Sequence, residues 1–342
     1  MSSSTVTQSW AAMEPKGKVV PFQLELPALG PNDVEVDIEY CGICHSDVHI
    51  IDKEWGDAAS SFPKVAGHEI VGKVSRRGSE VKELQIGDRV GIGWYRRACL
   101  SCDECMEGYE NLCPHGEATC FGASQGGFAR KTIADARVAF PIPKEIPPEY
   151  AGPLFCGGIT VFAPFRRFGV KPGDHVAVVG IGGLGHMALK FAKAFGCKVT
   201  AISSSADKVK EAKEYGASHF INSSDENQMK EAQGTIDFML VTVPKKLPWQ
   251  QYTALLRRNG KMAIVGAILG NVEVPVMTEL MVRQLTICGS ITGGRALIKD
   301  MLEFCALHQI FPKCEVTDVE HLNEALDKVR ENKVRYRMVV KL

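Results

Sequence analysis

Four of the twelve cysteines lie close together in the sequence, at a spacing that suits a metal ion better than a disulfide framework. They are Cys99, Cys102, Cys105 and Cys113. Four thiolates around a d¹⁰ ion form a closed tetrahedral site, which is the structural type of zinc site. The segment between Cys105 and Cys113 is polar, so metal binding would couple to its local folding. We predict a structural zinc site, and the alternative is four free or mutually bridged thiols in an irregular loop.

A second group of potential ligands is dispersed along the chain. Cys44 lies in CGICHSDVH, His68 in GHE and Cys156 in LFCGG. Two thiolates and one imidazole would leave the fourth position of a zinc ion open, which is the catalytic arrangement. On these residues alone the evidence is weak, because a single histidine after a glycine is more often a core or surface residue.

Residues 171–205 have the pattern of a nucleotide-binding βαβ unit. A short apolar, β-branched run at residues 175–179 predicts a buried parallel strand, and GIGGLG follows it at residues 180–185. Apolar residues at helical spacing then lead to a second apolar strand at residues 198–202. In such a motif Gly180 permits the turn, Gly182 lets the backbone approach a pyrophosphate and Gly185 lets the helix pack against the strand. We predict dinucleotide binding, and the alternative is a glycine-rich turn in an unrelated α/β domain.

The residues after the second strand predict which dinucleotide is bound. NAD-binding folds usually carry Asp or Glu about 20 residues past the glycines, where it binds the ribose 2′-OH. In this chain that position holds Ser203, Ser204 and Ser205, with Lys208 in the next helix. Hydroxyl and N–H groups can donate to a 2′-phosphate, and lysine adds positive charge. We predict NADP(H), and the alternative is that the serines only cap the helix that begins at Asp207.

Composition excludes several classes of function and location. The chain has 342 residues with 40 basic and 40 acidic side chains, so its formal net charge is zero. No long basic run provides the electrostatic footprint of a nucleic-acid-binding protein. The N-terminal sequence lacks a signal-peptide core, and no apolar run approaches the roughly 20 residues of a membrane span. We expect a cytoplasmic protein without nucleic-acid or membrane partners.

The chain changes character near residue 150, which predicts two domains. From Val19 to about Pro143 short strands dominate, and residues 34–39 alternate apolar and acidic side chains as on a half-buried strand. From Ala151 to about Gly294 strands alternate with helices. A last apolar strand near residues 336–340 has no domain of its own, so we expect it to return to the first domain. The expected domains are residues 1–154, residues 155–294, and a returning segment at residues 295–342.

Five ordered motifs resemble one enzyme family. CGICHSDVH, GHEIVG, the four-cysteine segment, LFCGGIT and GIGGLG look like those of the zinc-dependent medium-chain alcohol dehydrogenases. AISSSADK, VTVP and VRYRMVV most resemble the cinnamyl alcohol dehydrogenase-like, NADPH-dependent aldehyde reductases in that family. The resemblance covers essentially the whole chain. It implies an α/β fold in which a GroES-like β-rich catalytic domain accompanies a Rossmann cofactor-binding domain.

The same resemblance implies the cofactors, substrates and assembly. Each chain is expected to hold two Zn²⁺ ions and NADP(H). The substrates are expected to be aromatic, cinnamyl-type or medium-chain aliphatic aldehydes and the corresponding alcohols. A homodimer is expected to form through the edge strand near residues 286–290.

Residue roles also follow from the resemblance. Cys44, His68 and Cys156 look like the catalytic zinc ligands. Glu69 looks like a carboxylate that can approach the metal, or else a plain hydrogen-bond acceptor beside it. Asp47 looks like the partner that orients His68 through its other ring nitrogen.

A proton relay is implied beside the metal ligands. Ser46 would accept the substrate hydroxyl proton and pass it through the cofactor ribose to His49, because an imidazole side chain can exchange protons with solvent near neutral pH. The alternatives are a turn hydroxyl and a surface histidine. His45 is expected to contact the pyrophosphate.

The remaining expected site residues fall into two groups. Cofactor contacts are expected, beyond those already named, from Thr160, Gly183, Leu184, Thr242, Val243, Val265, Gly266 and Ser290. Substrate-pocket walls are expected from Trp55, Trp94, Phe121 and Ile268, although ordinary core packing is an equal alternative for any one of them. Arg96 and Arg97 are expected to be solvated unless one of them faces the cleft.

Two competing functions remain at this point. Polyol dehydrogenation is the alternative within the family, although polyol dehydrogenases of this superfamily often have a carboxylate in place of the Cys156 thiol. A non-catalytic nucleotide-binding redox sensor is the alternative from another class. That function gives no reason for the zinc ligands, Asp47 and the relay residues to occur together.

Overall fold

The computed structural model describes residues 5–342, which divide into two compact units. The first contains the chain up to Cys156 together with Gly293–Leu342, and the second is Gly157–Thr292. The chain therefore leaves the first unit once and returns to it. Cys156, which we expected at the start of the second domain, is the last residue of the first unit before that excursion.

Strands dominate the first part of the chain, and strands alternate with helices in the second. The strands are β1 (Thr5–Ala12), β2 (Val19–Leu26), β3 (Asp33–Ile43), β4 (Glu69–Arg77), β5 (Arg89–Ile92), β6 (Tyr95–Arg97), β7 (Glu117–Ala118), β8 (Lys131–Asp135), β9 (Phe140–Pro141), β10 (His175–Val179), β11 (Lys198–Ser203), β12 (His219–Asn222), β13 (Ile236–Val241), β14 (Leu256–Ile264), β15 (Thr286–Gly289), β16 (Cys314–Asp318) and β17 (Arg337–Lys341). The α-helices are α1 (His45–Ile51), α2 (Asp103–Met106), α3 (Pro148–Ala151), α4 (Gly157–Arg167), α5 (Gly185–Ala194), α6 (Val209–Glu214), α7 (Glu226–Glu231), α8 (Trp249–Leu255), α9 (Arg295–His308) and α10 (Leu322–Arg330). Short 3₁₀ segments are Asp57–Ala59, Glu110–Leu112, Ala136–Val138, Gly152–Phe155, Ala206–Lys208 and Val319–His321, and Val276–Met281 is π-helical. Among residues 5–342, no helix is long and apolar enough to cross a membrane.

A seven-stranded sheet forms the centre of the first unit. Its strand order is β16-β17-β3-β4-β5-β9, and β8 pairs with β3 outside that path. Strand β17 runs antiparallel to β3, with Met338 opposite Ile43, and parallel to β16. The returning segment therefore completes the sheet that carries the first part of the chain.

Strand β3 departs from the alternation that its sequence predicts. Val34, Val36 and Ile38 are buried as expected, but Glu35 is buried as well. The Glu35 carboxylate accepts hydrogen bonds from Ser75, Arg76 and Lys131. A buried carboxylate is tolerated when it is paired and hydrogen-bonded, so the neighbouring cations allow an acidic residue inside.

The second unit is built on a six-stranded, fully parallel sheet. Its strand order is β12-β11-β10-β13-β14-β15. The order reverses between β10 and β13, and ligands of doubly wound sheets bind at the carboxyl ends of the strands at such a point. The glycine motif follows β10 directly, so it lies at this position.

Two element boundaries in the second unit differ from the sequence interpretation. The sequence of residues 249–257, followed by Asn259-Gly260, predicts a helix to Arg257, but α8 ends at Leu255 because the chain enters β14 at Leu256. The helix expected from Asp207 starts as the 3₁₀ segment Ala206–Lys208 and becomes α-helical at Val209.

Candidate metal centres and cofactor site

The four clustered cysteines converge in the structure. Their sulfur atoms lie within 4.8 Å of one another, with Cys99 Sγ 4.0 Å from Cys105 Sγ and Cys102 Sγ 3.8 Å from Cys113 Sγ. Zinc–sulfur bonds of about 2.3 Å in a tetrahedron place the sulfurs about 3.8 Å apart, so this donor set fits a zinc ion. The backbone N–H of Ser101 donates to Cys99 Sγ and lowers the pKa of that thiol to about 5, which favours the metal-binding thiolate.

The returning segment holds this cysteine lobe, residues 99–113, in place. Glu110 Oε2 accepts a hydrogen bond of 2.9 Å from the backbone N–H of Arg295, at the start of α9. Gly294 approaches so closely that a Cβ there would lie 1.9 Å from the carbonyl oxygen of Gly108. The lobe is therefore packed against a chain segment that is almost 200 residues distant in sequence.

Cys44, His68 and Cys156 meet although they come from three parts of the chain. Cys44 is the N-cap of α1, His68 directly precedes β4, and Cys156 follows a 3₁₀ segment. Cys44 Sγ is 3.9 Å and His68 Nε2 is 3.2 Å from Cys156 Sγ. These separations fit three ligands of one tetrahedral ion. A hydrogen bond from Cys156 holds the pKa of the Cys44 thiol well below its ordinary value.

Asp47 connects these donors. Its Oδ1 accepts from His68 Nδ1 at 2.8 Å and from the backbone N–H of Gly67 at 2.9 Å, while its Oδ2 accepts from the backbone N–H of Cys44 at 2.8 Å. Asp47 and His68 are both completely buried. Because Nδ1 donates to the carboxylate, Nε2 keeps its lone pair for a metal.

Glu69 lies beside the same donors and has a partner that we did not expect. A carboxylate oxygen of Glu69 lies within 4.8 Å of the potential ligand atoms of Cys44, His68 and Cys156. Arg337 of β17 donates to Oε1, while Oε2 is buried without a hydrogen-bond partner among residues 5–342. Burial raises the pKa of the Glu69 carboxyl to about 7, against the opposing charge of Arg337. One oxygen is thus held by the guanidinium and the other remains able to approach a metal.

The expected relay residues are adjacent but not directly linked. Ser46 Oγ lies 3.7 Å from Cys44 Sγ. His49 Nδ1 pairs with Glu54, and the His49 ring centroid is 5.6 Å from that of His45. Within residues 5–342 no hydrogen bond joins Ser46 to His49. Any proton transfer between them therefore requires a further group.

Three of the four expected pocket residues form an aromatic cluster beside His68. Trp94 is in edge contact with the imidazole of His68, at 5.1 Å between ring centroids. Trp55 and Phe121 flank Trp94 at 6.5 and 6.1 Å. The fourth residue, Ile268, follows β14 in the second unit, where it packs against that unit's own core.

Arg96 and Arg97 are paired rather than simply solvated. Arg96 bonds to the carboxylate of Glu117 and is mostly buried, and its Nη1 also donates to the carbonyl oxygen of Gln125. Arg97 pairs with Asp33 at 2.9 Å. The expectation of solvated guanidinium groups was wrong for Arg96, because a carboxylate on the neighbouring short strand β7 neutralises it.

The three glycines of the predicted dinucleotide motif have distinct geometries. Gly180 has a φ of +90°, which disfavours any side chain. A Cβ at Gly185 would lie 1.8 Å from the carbonyl oxygen of Gly180, whereas a Cβ at Gly182 would meet nothing within 4 Å. Close packing is therefore required at the first and last glycine, and open space remains at the middle one. This fits a backbone cradle for a diphosphate, with Gly183 and Leu184 in the same turn.

The region expected to receive the 2′-phosphate lies at the end of β11. Ser204 and Ser205 are exposed, and Ser203 Oγ accepts a hydrogen bond of 3.1 Å from the backbone N–H of Ser205. Lys208 Nζ donates to the carbonyl oxygen of Ile181 at 2.8 Å. The lysine ammonium is thus tied to the glycine turn itself, and it brings positive charge to that turn.

The other expected cofactor contacts lie mostly at the carboxyl ends of the parallel strands. Thr242 Oγ1 donates to the carbonyl oxygens of Val179 and Gly180 at 2.9 and 3.0 Å, so it supports the glycine turn. Val243 follows β13, Val265 and Gly266 follow β14, and Ser290 follows β15. Thr160 lies in α4.

Three buried residues near the metal donors were missed by sequence reasoning. Arg337 was overlooked because its partner Glu69 is 268 residues away. Cys120 Sγ lies 3.8 Å from both Asp47 Oδ1 and His68 Nδ1, and Lys64 is completely buried. A lone cysteine or lysine carries no recognisable spacing, so no sequence signal identified them.

Comparison with known proteins agrees with this geometry. Residues 30–144 match the alcohol dehydrogenase GroES-like domain, and residues 183–306 match the zinc-binding dehydrogenase domain. The chain is 41% identical to the aldehyde reductase AdhA of Synechocystis sp., over 97% of this chain and 98% of the relative. It is 43% identical to a probable mannitol dehydrogenase of Fragaria ananassa, over 97% and 94% of the two chains.

A solved structure has the same fold. The cinnamyl alcohol dehydrogenase of Helicobacter pylori, complexed with NADP(H), superimposes with a TM-score of 0.91 at 29% identity, covering 99% of both chains. With the cysteine and histidine donor sets and the parallel sheet of Rossmann type, these similarities establish the family. The chain belongs to the zinc-dependent medium-chain alcohol dehydrogenases, in which it is an oxidoreductase of the cinnamyl alcohol dehydrogenase and aldehyde reductase group.

Proposed function

We propose that the protein is an NADPH-dependent reductase of aromatic, cinnamyl-type and medium-chain aliphatic aldehydes. The observation that carries this proposal is the set of Cys44, His68 and Cys156, which has an aromatic cluster on one side. His68 and Cys156 are buried, and Cys44 is partly buried. Three ligands leave one position of a zinc ion for substrate oxygen. An aromatic wall beside that position suits a flat apolar substrate better than a polyhydroxylated one.

Two zinc ions per chain are part of this proposal. Cys99, Cys102, Cys105 and Cys113 would hold the closed ion, and Cys44, His68 and Cys156 the open one. When bound, the open zinc supplies a Lewis acid that polarises a carbonyl oxygen, and NADPH supplies a hydride.

The protein's own residues then orient ligands and move protons. Asp47 fixes His68 in the tautomer that ligates through Nε2, and Arg337 restrains Glu69. Ser46 Oγ, beside Cys44, donates a proton to the nascent alkoxide oxygen during reduction and accepts one from the alcohol during oxidation. His49, partly exposed and paired with Glu54, exchanges that proton with solvent.

Cofactor preference follows from the end of β11. A carboxylate there would repel a 2′-phosphate, and the chain instead has Ser203, Ser204 and Ser205 with Lys208 nearby. Serine hydroxyls and backbone N–H groups donate to phosphate oxygens, and the lysine acts as a point charge. We expect kcat/KM with NADPH to exceed that with NADH by at least about tenfold, or about 1.4 kcal/mol.

Steady-state kinetics test both parts of the proposal. Oxidation of NADPH and NADH would be followed with cinnamaldehyde, benzaldehyde and hexanal, and reduction of NADP⁺ with mannitol. Ser204→Asp should erode the NADPH preference, while Ser224→Asp, in a serine pair beyond β12, should not. No turnover of any aldehyde, or faster turnover of mannitol, would overturn the substrate proposal. Equal efficiency with NADH would overturn the role of the serines and Lys208.

We also propose a homodimer through the open edge of the parallel sheet. Strand β15 is one of the two edge strands of this sheet, the other being β12, and an unpaired edge is a template for a second copy. Exposed apolar side chains accompany it, namely Leu269, Val276, Met277, Met281, Val282 and Ile291. Sedimentation velocity at micromolar concentration should give a dimer, which Met281→Glu should weaken. Leu307→Glu, at an even more exposed position on α9, should not weaken it. A monomeric wild-type protein would overturn the dimer.

A further inference from the structure

Lys64 is a buried cation that the proposed mechanism does not use. Its side chain has no solvent exposure. Its Nζ donates to three backbone carbonyl oxygens, those of Gly122 at 2.6 Å, Ser124 at 2.8 Å and Cys120 at 3.4 Å. Among residues 5–342 no carboxylate forms an ion pair with it. The ammonium therefore has its three N–H donors satisfied by one short stretch of chain.

Burying an ammonium group in this way costs free energy, so we expect the buried lysine to fulfil a role in the protein. Removing an ammonium from water costs several kcal/mol unless hydrogen bonds compensate, and burial accordingly lowers the pKa of Lys64. An apolar side chain would fill the same space without this cost. The three carbonyls belong to alternate residues, so a cation holds the backbone of residues 120–124 in a curve around itself.

The backbone of residues 120–124, which we call the wall loop, carries two side chains of the candidate site. Phe121 packs on Trp94, which contacts His68. Cys120 Sγ contacts both Asp47 and His68 at 3.8 Å. The loop thus presents its carbonyl oxygens to Lys64 and its side chains to the metal donors and the aromatic cluster.

Other contacts hold Gly122, in the middle of the loop, and Gln125, directly after it. The backbone N–H of Gly122 donates to the carbonyl oxygen of Ala59 at 2.9 Å. Ser61 donates to the carbonyl oxygen of Gly122 through both its backbone N–H and its hydroxyl. The Gln125 side chain bonds to the backbone of Pro63 and Val65. In the described part of the chain, however, the carbonyl oxygens of Cys120 and Ser124 accept hydrogen bonds only from Lys64. Lys64 therefore supplies the hydrogen bonds that fix the two carbonyl groups on either side of Gly122.

We propose that Lys64 is a positioning residue for substrate selectivity, acting through the wall loop to hold Phe121 against Trp94 and Cys120 against the Asp47–His68 pair. The inference rests on the proposed aldehyde reductase function and specifies what sets the shape of its pocket. Lys64 does not touch substrate. Its loss should therefore alter discrimination between large and small aldehydes more than it alters metal or cofactor binding.

The first test compares Lys64→Met, a neutral side chain of similar length, with Lys82→Met at an exposed position of the same unit. We expect the ratio of kcat/KM for cinnamaldehyde to that for propanal to fall about tenfold in Lys64→Met, which is less than the roughly 100-fold that a misplacement of about 1 Å at the reacting atoms can cost. The zinc content and the Kd for NADPH should not change, and Lys82→Met should match the wild type. An unchanged selectivity ratio, or one that changes only with zinc loss, would overturn the proposal.

A second measurement does not depend on turnover. Hydrogen exchange at residues 119–126 should accelerate in Lys64→Met and not in Lys82→Met, while exchange in β3 and β4 stays slow. If the wild type reduces no aldehyde, the proposed function fails, but this measurement still decides whether Lys64 holds the loop. Unchanged exchange at residues 119–126 would overturn the inference even in an active enzyme.

Two further variants guard against misfolding and indirect effects. Lys64→Gln retains two N–H donors and should give an intermediate selectivity ratio and intermediate exchange. If neither Lys64 variant yields folded protein, Lys64 supports the whole unit and the selectivity proposal is wrong.

In a Phe121→Ala background, Lys64→Met should change the selectivity ratio little further, because both substitutions act on the same wall of the pocket. Additive effects would contradict action through the loop.

Discussion

The two candidate metal centres lie in the same unit and differ in how the chain builds them. The four cysteines of the lobe fall within fifteen residues, and the lobe has one short helix and one 3₁₀ segment. The three donors of the other centre come from the ends of different elements, and Asp47, Glu69 and Arg337 surround them. A closed set needs only local spacing, whereas an open set needs a fold that holds each ligand and its neighbours.

This difference has an energetic consequence. In the cysteine lobe, we expect metal binding to be coupled to local folding, since the lobe lacks an apolar core. In the dispersed centre, the sheet and its hydrogen bonds already position the donors. Removing the metal should therefore disorder the first centre and inactivate the second.

The largest expected effect is on turnover. His68→Ala or Cys156→Ser should lower kcat by a factor on the order of 10³ or more, because the ion that polarises the carbonyl is lost. The Kd for NADPH should change little, since its predicted glycine turn lies in the second unit. The measured zinc content should fall from two ions per chain to one. Cys197→Ser, at a cysteine outside both donor sets, is the matched control, and near-normal turnover in either ligand variant would refute the ligand set.

Chelation should separate the same two centres in the wild-type protein. The open centre has an exchangeable position and should lose its zinc first, with activity falling in step. The closed thiolate centre should release zinc later, with exposure of the lobe to protease. Loss of one zinc ion without any loss of activity would reverse the assignment of the two centres.

Disruption of the closed centre should act mainly on stability. In Cys105→Ser we expect a drop in Tm of about 5 °C or more, since several kcal/mol of metal binding is coupled to folding of the lobe. Early proteolysis should occur within residues 99–113, and activity at low temperature should be largely kept. Cys314→Ser should leave Tm within error. If Cys105→Ser abolished turnover without lowering Tm, the closed centre would have a role in catalysis.

The smallest expected effect is at the end of the relay. His49→Ala should lower kcat about tenfold, since water can replace a terminal proton acceptor. Added imidazole should restore part of the activity, while Glu54→Gln should cost less because it only removes the partner of His49. A loss as deep as that of His68→Ala would mean that His49 has another role.

The difference between the two metal centres also explains which features could be predicted from the sequence. The four-cysteine spacing and the GIGGLG motif are local patterns with strong physical constraints, such as the positive φ of Gly180. A parallel sheet was predicted from the alternating strands and helices, and the Rossmann fold from the βαβ unit at the glycine motif together with the family resemblance. The dispersed ligand set was convincing only by family resemblance, because nothing in the spacing of Cys44, His68 and Cys156 requires them to meet.

The features that could not be predicted from the sequence depend on ion pairs and hydrogen bonds between residues that are far apart in the chain. Glu35 was expected to face solvent, and the cations that bury it lie on β4 and β8. Arg96 was expected to be solvated, but Glu117 follows it by 21 residues on a two-residue strand. In the sequence, Lys64 cannot be distinguished from an ordinary surface lysine. Its hydrogen-bond partners are apparent only in the folded wall loop. Single charged residues carry no periodicity, so their burial cannot be inferred from pattern.

The pairing of β17 with β3 also affects how the chain can fold during synthesis. Met338 lies opposite Ile43, so the central sheet of the first unit lacks a strand until nearly the whole sequence has been translated. At about 5–20 residues per second, β3 waits on the order of 15–60 s for its neighbour. The second unit is contiguous, at Gly157–Thr292, and can fold on the ribosome in the meantime. The zinc-binding half of the enzyme, although it is synthesised first, is therefore the last to be completed, and Arg337 reaches Glu69 only when its strand leaves the exit tunnel.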